Sequence, residues 1–275
     1  MKIINKRVLA KVGKLRIVEL EIVSFIANKV KPGQFIVVMV NEKGERIPLT
    51  VAKRDLKRKR ITVIFQEVGF TTKLLGNLKK GETLYALLGP LGNPTEIRHF
   101  GRVILIGGGV GTVEMYPIAE ALKKEGNHIT TLIGAKTKEL LVLKEEFRKI
   151  SDKITFVTQD GSCGKKGMVT TILENLLKKN YYDFAYTVGP VPMMKKVAYI
   201  TKKFSLRTVA SLTTLMVDAT GMCGVCRVSV GNKTKFSCIE GPEFDAHLIN
   251  WEELENKLKM YRKKEKYICK LHKLC

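Results

Sequence analysis

The sequence predicts a multi-domain fold: an antiparallel β-barrel, then a doubly wound α/β domain, then a small C-terminal module that carries cysteines. Three observations predict it. Short runs rich in β-branched residues occupy residues 1–98, strands and helices alternate through residues 99–210, and three of the six cysteines fall within residues 211–250. Residues 251–275 are predicted to form a final helix and a basic tail. A chain of 275 residues is long enough for several cores.

The N-terminal segment is predicted to be β structure. Residues 15–24, 33–40 and 60–68 form short runs rich in Val and Ile, and turn clusters such as KPGQ and NEKGER separate them. Several short strands at this spacing are typical of a small antiparallel barrel or sandwich.

The middle segment is predicted to be a β-α-β array. An apolar strand, Val103 to Ile106, leads into a glycine cluster, an amphipathic helix and another apolar strand. Helices are then predicted at 143–150, at 168–179 and after residue 196, and strands at 154–159 and 183–189. This alternation indicates a parallel sheet that is covered by helices on both faces.

Glycine-rich turns follow three of these strands. Gly107–Thr112 opens a helix, where backbone amides could bind a pyrophosphate, although the stretch does not match G-x-G-x-x-G in full register. A tight structural turn is the alternative. The turns at 158–162 and 189–194 should lie at the same edge of the sheet, because ligands bind outside the carboxyl ends of parallel strands. Together they leave room for a nicotinamide dinucleotide.

Two motifs in the β segment could hold phosphate. Arg46 can pair with a phosphate through its guanidinium group, and Thr50 adds a hydroxyl nearby. The stretch GFTTKLL predicts a helix that Thr71 or Thr72 caps, and such an N-terminus binds anions. An ordinary surface location is the alternative for these residues.

Cys223, Cys226 and Cys238 fall within the stretch VDATGMCGVCRVSVGNKTKFSC. A plant-type 2Fe–2S site has the spacing C-x4-C-x2-C with a distant fourth cysteine, but Asp218 stands at the first position here. The residues alone leave open a broken cluster, a zinc site with a borrowed ligand, or a cluster with one carboxylate ligand. Cys163 is interpreted as an incidental loop thiol. Cys269, His272 and Cys275 recur at helical spacing on the basic tail, which we interpret as a frayed terminus rather than a metal site.

Composition excludes some classes of protein. The formal net charge is +23, but the lysines and arginines are spread along the chain without a nucleic-acid-binding module, so no nucleic-acid partner is expected. No run of 18 apolar residues occurs, and the N-terminus lacks a signal peptide's apolar core. We therefore expect a cytoplasmic protein with no membrane partner, whose cysteines serve metal or redox chemistry.

The motifs KPGQF, RIPLT, VGFTTKLL, GPLGNP, GGGVG and GPVPMM occur in this order. The series resembles that of the ferredoxin–NADP reductase superfamily over nearly the whole chain. With its C-terminal DATGMCGVCRV and EGPEFDAH, the chain is similar to two groups of electron-transfer subunits. One belongs to dihydroorotate dehydrogenase B, and the other to NADH-dependent reduced ferredoxin:NADP oxidoreductase. The resemblance implies an FAD-binding barrel, an NAD-binding α/β domain and a 2Fe–2S module.

The resemblance also implies which residues bind each cofactor. FAD would meet Arg46, Pro48, Leu49, Thr50, Ile64, Phe65, Gln66, Gly69, Thr71 and Thr72. The nicotinamide nucleotide would meet Gly108, Gly109, Val110, Gly111, Thr112, Asp160, Gly189, Pro190 and Met193. The cluster ligands would be Asp218, Cys223, Cys226 and Cys238, since the ferredoxin:NADP group has an aspartate in a similar motif, MVDGTGMCG, from which this chain differs only at Ala219.

The function that the resemblance implies is electron transfer between NAD(H), FAD and the 2Fe–2S cluster, with no catalytic side chain because the cofactors carry the chemistry. The electrons would pass to a larger flavin- and 4Fe–4S-containing subunit of a heterodimer that bifurcates electrons, with ferredoxin and NADPH as indirect partners. The electron-transfer subunit of dihydroorotate dehydrogenase B is the alternative within the superfamily. A zinc-bearing nucleotide-sensing protein is the alternative from another class. The family favours NADH over NADPH.

Overall fold

A computed structural model describes residues 1–261 together with residues 264, 267, 268 and 271. The first sheet is antiparallel and has the strand order β1-β2-β5-β4-β3-β6. Its elements are β1 (Ile3–Val12), β2 (Leu15–Val23), β3 (Phe35–Met39), β4 (Ile47–Asp55), β5 (Arg60–Gln66), α1 (Phe70–Asn77) and β6 (Ala86–Leu91). A bridge between Lys2 and Thr83 links the β1 edge to the segment that leads into β6, so the sheet curls into a barrel.

Side chains at alternate positions along the strands fill the interior of this barrel. Val18, Leu20 and Ile22 of β2 are fully buried at every second position, as expected for a strand with one face on a core. The three strands predicted from the sequence correspond to β2, β3 and β5.

The second sheet has the order β10-β9-β8-β7-β11-β12-β15. Its elements are β7 (Arg102–Gly108), α2 (Thr112–Lys124), β8 (His128–Ala135), α3 (Lys144–Ile150), β9 (Lys153–Thr158), β10 (Lys165–Lys166), α4 (Val169–Leu177), β11 (Phe184–Val188), α5 (Val191–Lys203) and β12 (Thr208–Ser211). All these strands are parallel. The chain moves outward from β7 to β9 and then returns to place β11 on the other side of β7. The doubly wound prediction is confirmed, and its switch point lies between β7 and β11.

The C-terminal part contains the hairpin β13 (Arg227–Val230) and β14 (Lys233–Phe236), then β15 (Glu243–Asp245) and α6 (Trp251–Lys257). β15 pairs with β12 antiparallel and so extends the α/β sheet. The domain limits at residues 98, 210 and 250 stay predictions. α6 ends at Lys257 and turns follow through Tyr261, so the helix expected from Ile249 to Tyr267 is interrupted there, whereas the described residues Lys264 and Tyr267 beyond the turns are again helical.

The cysteine module packs on the barrel. Ala219, Cys226 and Cys238 form a small buried cluster with Phe35 and Val37 of β3. Cys269, His272 and Cys275 lie outside the described residues. Within the part that the structure describes, no helix is both long and apolar enough to cross a membrane.

Candidate functional site

A cleft opens where the barrel, the α/β domain and the cysteine module meet. Its wall combines β3 and β4 of the barrel, the first turn of α2, and the segment after β12. The lining residues are Gly33, Phe35, Pro48, Leu49, Thr50, Glu114, Ser211, Leu212, Thr213, Thr214, Met216 and Pro242. Pro48, Leu49 and Thr50, which the resemblance assigns to FAD, thus face one cleft. The wall is mainly apolar with a few polar groups, the character of a cofactor pocket.

The N-terminus of α1 is the second part of the expected FAD site. Gly69 caps this helix, so the prediction that Thr71 or Thr72 is the cap is wrong, because both lie inside the first turn; Gly69 has open space on the side where a β-carbon would stand. The hydroxyl of Thr72 accepts hydrogen bonds from the amides of Val68 and Gly69, so it orders the turn, while Thr71 donates to the carboxylate of Glu45. An acidic side chain therefore lies at the helix end where a phosphate is expected, which fits an anion site.

The three expected FAD contacts on β5 differ in exposure. Ile64 and Phe65 are only 5% and 3% exposed, and their side chains pack into two different hydrophobic cores. Gln66 is half-buried. A ligand could therefore meet Ile64 and Phe65 through the backbone alone.

The turns at the switch point approach each other closely. A β-carbon on Gly111 would stand 2.9 Å from the Cα of Gly189, and one on Gly108 would clash with the side chains of Met193 and Pro190. Gly189 itself has φ +148°, a conformation that side chains rarely permit. Thr112 fixes the turn because its hydroxyl donates to the carbonyl of Gly109 at 2.8 Å. The backbone, with little side-chain bulk, forms this edge, which fits a dinucleotide.

Asp160 lies in the turn after β9, at the same sheet edge. Its carboxylate accepts hydrogen bonds from the amide and the hydroxyl of Ser162, at 3.0 and 2.7 Å, and these bonds lower the pKa of Asp160. Lys136 and Lys138 are exposed in the neighbouring loop after β8. The turn therefore presents an ionised carboxylate beside two cations.

The hairpin of β13 and β14 brings two cysteines together. Arg227 pairs with Phe236 at the open end of the hairpin. Cys226 just before β13 and Cys238 just after β14 therefore lie at this same end. Their Sγ atoms lie 3.2 Å apart, and both side chains are buried. Cys223 is exposed in the preceding loop. Among the described residues, no three His, Cys, Asp or Glu side chains converge on a point that could hold a single metal ion.

Asp218 connects the cysteine loop to the barrel. Its Oδ1 accepts a hydrogen bond from Nη1 of Arg46 at 2.5 Å, and its Oδ2 accepts one from the amide of Thr220 at 3.1 Å. Two residues that the resemblance gives to different cofactors, Arg46 and Asp218, thus form one ion pair. Hydrogen bonds from Thr220 and the charge of Arg46 lower the pKa of Asp218.

The donor chemistry of these four residues fits an iron–sulfur cluster. The amide of Val225 lowers the pKa of Cys223, while burial beside Cys226 raises that of Cys238 to about 12. A positive centre would deprotonate such a thiol pair. Cys226 lies beside Cys238, and the carboxylate of Asp218 acts electrostatically on Cys223, so the four candidate side chains fall into two pairs, as a site for two irons would require.

Sequence reasoning did not identify a second group of polar residues in the cleft. Glu114, Tyr186, Ser211 and Glu243 come from α2, β11, β12 and β15, and hydrogen bonds join them. The only signal in the sequence is a glutamate on the otherwise apolar face of α2 (VEMYPIA). The partners could not be found, because they are remote in sequence.

Two family models match the chain. Residues 213–250 match the iron–sulfur cluster binding domain of dihydroorotate dehydrogenase B, and residues 105–199 match the oxidoreductase NAD-binding domain. These ranges contain the cysteine hairpin and the glycine turns described above.

Curated relatives cover most of the chain. It is similar to a homologue of the electron-transfer subunit of dihydroorotate dehydrogenase B (NAD(+)) from Thermotoga maritima, with 46% identity over 241 residues, or 88% of this chain and 85% of that protein. It is also similar to the electron-transfer subunit of dihydroorotate dehydrogenase B (NAD(+)) from a Geobacillus species, with 34% identity over 78% of this chain and 85% of that protein.

Solved structures agree with the fold. A chain from the structure of NADH-dependent reduced ferredoxin-NADP oxidoreductase, studied for flavin-based electron bifurcation, superposes with a TM-score of 0.90 and 42% identity, covering 97% of this chain and 95% of that one. A mutant ferredoxin-NADP+ reductase from Plasmodium falciparum superposes with a TM-score of 0.60 at 17% identity, over 74% of this chain and 89% of that one. The second match shows a shared fold only.

Proposed function

The chain belongs to the family of the dihydroorotate dehydrogenase B electron-transfer subunits and their homologues, and we propose that it is the NAD(H)-linked subunit of an electron-bifurcating NADH-dependent ferredoxin:NADP oxidoreductase. It is an iron–sulfur flavoprotein oxidoreductase subunit. The predicted cofactors, a 2Fe–2S cluster, NAD(H) and FAD, agree with the two matched domains and with the fold. The zinc-bearing sensor is therefore discarded.

One observation carries the choice within the family. The chain superposes over 97% of its length, at 42% identity, on a subunit chain of an oxidoreductase of this kind. Asp218 supports the same choice, because the resembling dihydroorotate dehydrogenase group has a cysteine at that position and the ferredoxin:NADP group has an aspartate. The electron-transfer subunit of dihydroorotate dehydrogenase B remains the second candidate, supported by the Thermotoga relative's description.

The proposed FAD site runs from the cleft to the N-terminus of α1. Pro48, Leu49 and Thr50 would line the ring, and Gly69, Thr71 and Thr72 would hold the pyrophosphate. Arg46 and the β5 residues Ile64, Phe65 and Gln66 would complete the site. When bound, the flavin supplies the exchange between a two-electron hydride donor and a one-electron acceptor.

The proposed nucleotide site is the sheet edge at the switch point. The close backbone of Gly108, Gly109, Val110, Gly111 and Thr112 against Gly189, Pro190 and Met193 would admit the pyrophosphate and the nicotinamide. Asp160 would accept a hydrogen bond from a ribose hydroxyl. These residues bind and orient the nucleotide, and the cleft keeps bulk water from the reacting face.

The proposed cluster ligands are Asp218, Cys223, Cys226 and Cys238. Phe35 and Val37 exclude water from the Cys226–Cys238 side, whereas Cys223 is exposed. Oxygen is a weaker electron donor to iron than a thiolate, so Asp218 should change the potential of the cluster relative to four cysteines.

A larger partner subunit is part of the proposal, since the curated relatives are described as electron-transfer subunits or their homologues. We infer that the partner carries the second flavin and the 4Fe–4S clusters, that it exchanges electrons with ferredoxin and NADPH, and that the complex is cytoplasmic. This chain has six cysteines in total, and three of them are assigned to the 2Fe–2S site. Too few remain for a 4Fe–4S cluster in addition.

Affinity purification of the native complex tests the proposal. We expect about one FAD and about two irons per copy of this chain, bleaching of the flavin by NADH, and a large co-purifying subunit with 4Fe–4S clusters. A dihydroorotate-oxidising partner would instead establish the second candidate, and purified protein that lacks flavin would refute both.

A further inference from the structure

One carboxyl group lines the cleft and a second lies directly behind its wall, against Gly33, and electron transfer between the cofactors uses neither of them. Glu114 comes from the first turn of α2 and Glu243 from β15, which are separated by 129 residues. Both residues are half-buried, and Glu114 lines the cleft. Protein atoms nevertheless surround the carboxylate of each residue. Two acidic groups in such a place need a physical explanation.

One phenol joins the two carboxyl groups. The hydroxyl of Tyr186, a fully buried side chain, lies 2.9 Å from Oε1 of Glu243 and 3.4 Å from Oε1 of Glu114. A phenol has a single proton and can donate to only one of them. The shorter distance indicates donation to Glu243. The contact with Glu114 is then satisfied when Glu114 is protonated and donates to the phenol oxygen.

The remaining neighbours are neutral. Glu114 accepts hydrogen bonds from Ser211 and, at 3.4 Å, from Thr50, while Glu243 accepts one from Thr95 at 2.5 Å. These contacts come from β4, β11, β12 and the segment after β6, and Gly33, which precedes β3 and carries no charge, also lies against the carboxylate of Glu243. Among the described residues, no lysine, arginine or histidine forms an ion pair with either carboxylate.

Two buried like charges without a cation cannot both be ionised at little cost. Burial raises the pKa of Glu114, and burial together with the charge of Glu114 raises the pKa of Glu243 to about 7. The pair therefore holds a proton near neutral pH and exchanges it within the physiological range.

The pair also lies where a proton has to be removed. Thr50 and Ser211, which contact Glu114, line the cleft proposed for the flavin ring. A hydride consists of two electrons and one proton. If both electrons leave singly through the cluster, the bond that held the hydrogen breaks and the proton stays in the cleft until a base accepts it.

We propose that Glu114 and Glu243, joined through Tyr186, are the proton-accepting pair that takes up this proton and passes it toward solvent. As an O–H bond forms on Glu114, the proton that Glu114 already carries passes to the phenol oxygen of Tyr186, and the phenol proton passes to the ionised carboxylate of Glu243. The two electrons leave one at a time through the 2Fe–2S cluster to the proposed partner subunit, so charge and atoms balance. This inference rests on the proposed function, because it requires hydride donation into this cleft.

The test uses the holoprotein and the variants Glu114→Gln, Glu243→Gln and Tyr186→Phe. Glu120→Gln is the matched control, since Glu120 lies on the same helix and pairs with Lys124 at the surface. Stopped-flow mixing with NADH follows the flavin and cluster bands, and a pH-indicator dye follows proton release. In wild type, cluster reduction should accelerate as the pH rises through about 7. In Glu114→Gln it should slow by at least about tenfold, lose this pH dependence and recover when imidazole buffer supplies a base.

A second readout is independent of turnover. A raised pKa in the folded state means that the folded protein binds more protons than the unfolded chain between the two values. The contribution of Glu243 to the free energy of unfolding is therefore fully present at a pH below its unfolded pKa, about 4.3. This contribution is lost as the pH rises through the folded-state pKa, about 7. The melting temperature of Glu243→Gln should not show this decline, whereas that of Glu120→Gln should follow wild type.

The two readouts separate the possible failures. If the wild-type protein contains no FAD, or if NADH does not bleach its FAD, the proposed function fails. The melting curves still show in that case whether Glu243 has a raised pKa. If all variants bind FAD, retain the wild-type pH profile and gain nothing from imidazole, the proton-accepting role is refuted. Should Glu114→Gln not fold, Tyr186→Phe tests the same link by removing only the bridging hydroxyl.

Discussion

The nucleotide turns and the cysteine module are built in opposite ways. At the switch point between β7 and β11, glycine backbones lie against each other, and a single added carbon on Gly111 would stand 2.9 Å from Gly189. In the module, a loop and a hairpin hold the side chains that we propose as cluster ligands, and the half-buried ion pair Arg46–Asp218 links that loop to the barrel. We therefore expect the glycine turns to be disrupted when a side-chain carbon is added and the cysteine module to be disrupted when a cluster-binding side chain is removed.

The largest expected effect is loss of the cluster. Asp218→Ala removes the proposed carboxylate ligand, so the iron content should fall as we also expect for Cys223→Ala, the reference for a lost thiolate. Asp218→Cys should keep about two irons per chain with a shifted potential, because a thiolate donates more electron density than a carboxylate. Iron analysis and electron paramagnetic resonance of the reduced protein measure both effects. Cys163→Ala is the control, and wild-type iron in Asp218→Ala would place the fourth ligand elsewhere.

The second-largest expected effect is destabilisation of the fold by a side chain added at a glycine turn. Gly189→Ala adds a carbon 2.9 Å from the carbonyl oxygen of Gly108, in a backbone conformation with φ +148°. Strain and overpacking together should reduce the free energy of unfolding by roughly 3 kcal/mol. Gly69→Ala, whose β-carbon would meet open space at an ordinary φ, should change it by less than about 1 kcal/mol. Urea denaturation compares the two, and equal losses would show that close approach is unimportant.

A smaller effect concerns nucleotide choice. Hydrogen bonds from Ser162 keep Asp160 ionised, so this carboxylate should accept a ribose hydroxyl and repel a 2′-phosphate. We expect NADH to bleach the flavin faster than NADPH at equal concentration. In Asp160→Asn the ratio should fall by roughly tenfold, which corresponds to about 1.4 kcal/mol. Stopped-flow reduction decides this, and faster bleaching by NADPH in wild type would reverse the assignment.

The smallest expected effect lies inside the module. Ala219 has φ +63°, a left-handed conformation that disfavours side chains, although its methyl group packs beside Cys226 and Cys238. Ala219→Gly relieves strain but loses a buried methyl and loosens the unfolded chain, so the free energy of unfolding should change by less than about 1 kcal/mol. Ala219→Val should destabilise clearly, since a β-branched side chain tolerates this backbone poorly. Thermal unfolding with iron analysis compares the three proteins, and a stable Ala219→Val variant would show that the loop is not strained.

The sequence by itself determined the order of elements in the α/β domain, since the alternation of apolar runs and amphipathic stretches is local. The strands at 103–106, 154–159 and 183–189 and the helices between them were all found within a few residues. The C-x2-C spacing likewise indicated a metal or iron–sulfur site from the local sequence, and the family resemblance then favoured a 2Fe–2S cluster with Asp218 as a ligand. Local patterns suffice for such features.

Only the tertiary structure decided what remote residues do together. It placed β15 beside β12, joined Arg46 to Asp218 across 172 positions, and buried Glu114 against Tyr186 and Glu243. A glutamate on α2 looks like any other acidic residue in sequence, because its ionisation depends on which side chains the folded chain brings around it. Burial, shared hydrogen bonds and like charge act through space, and therefore only the packed structure shows them.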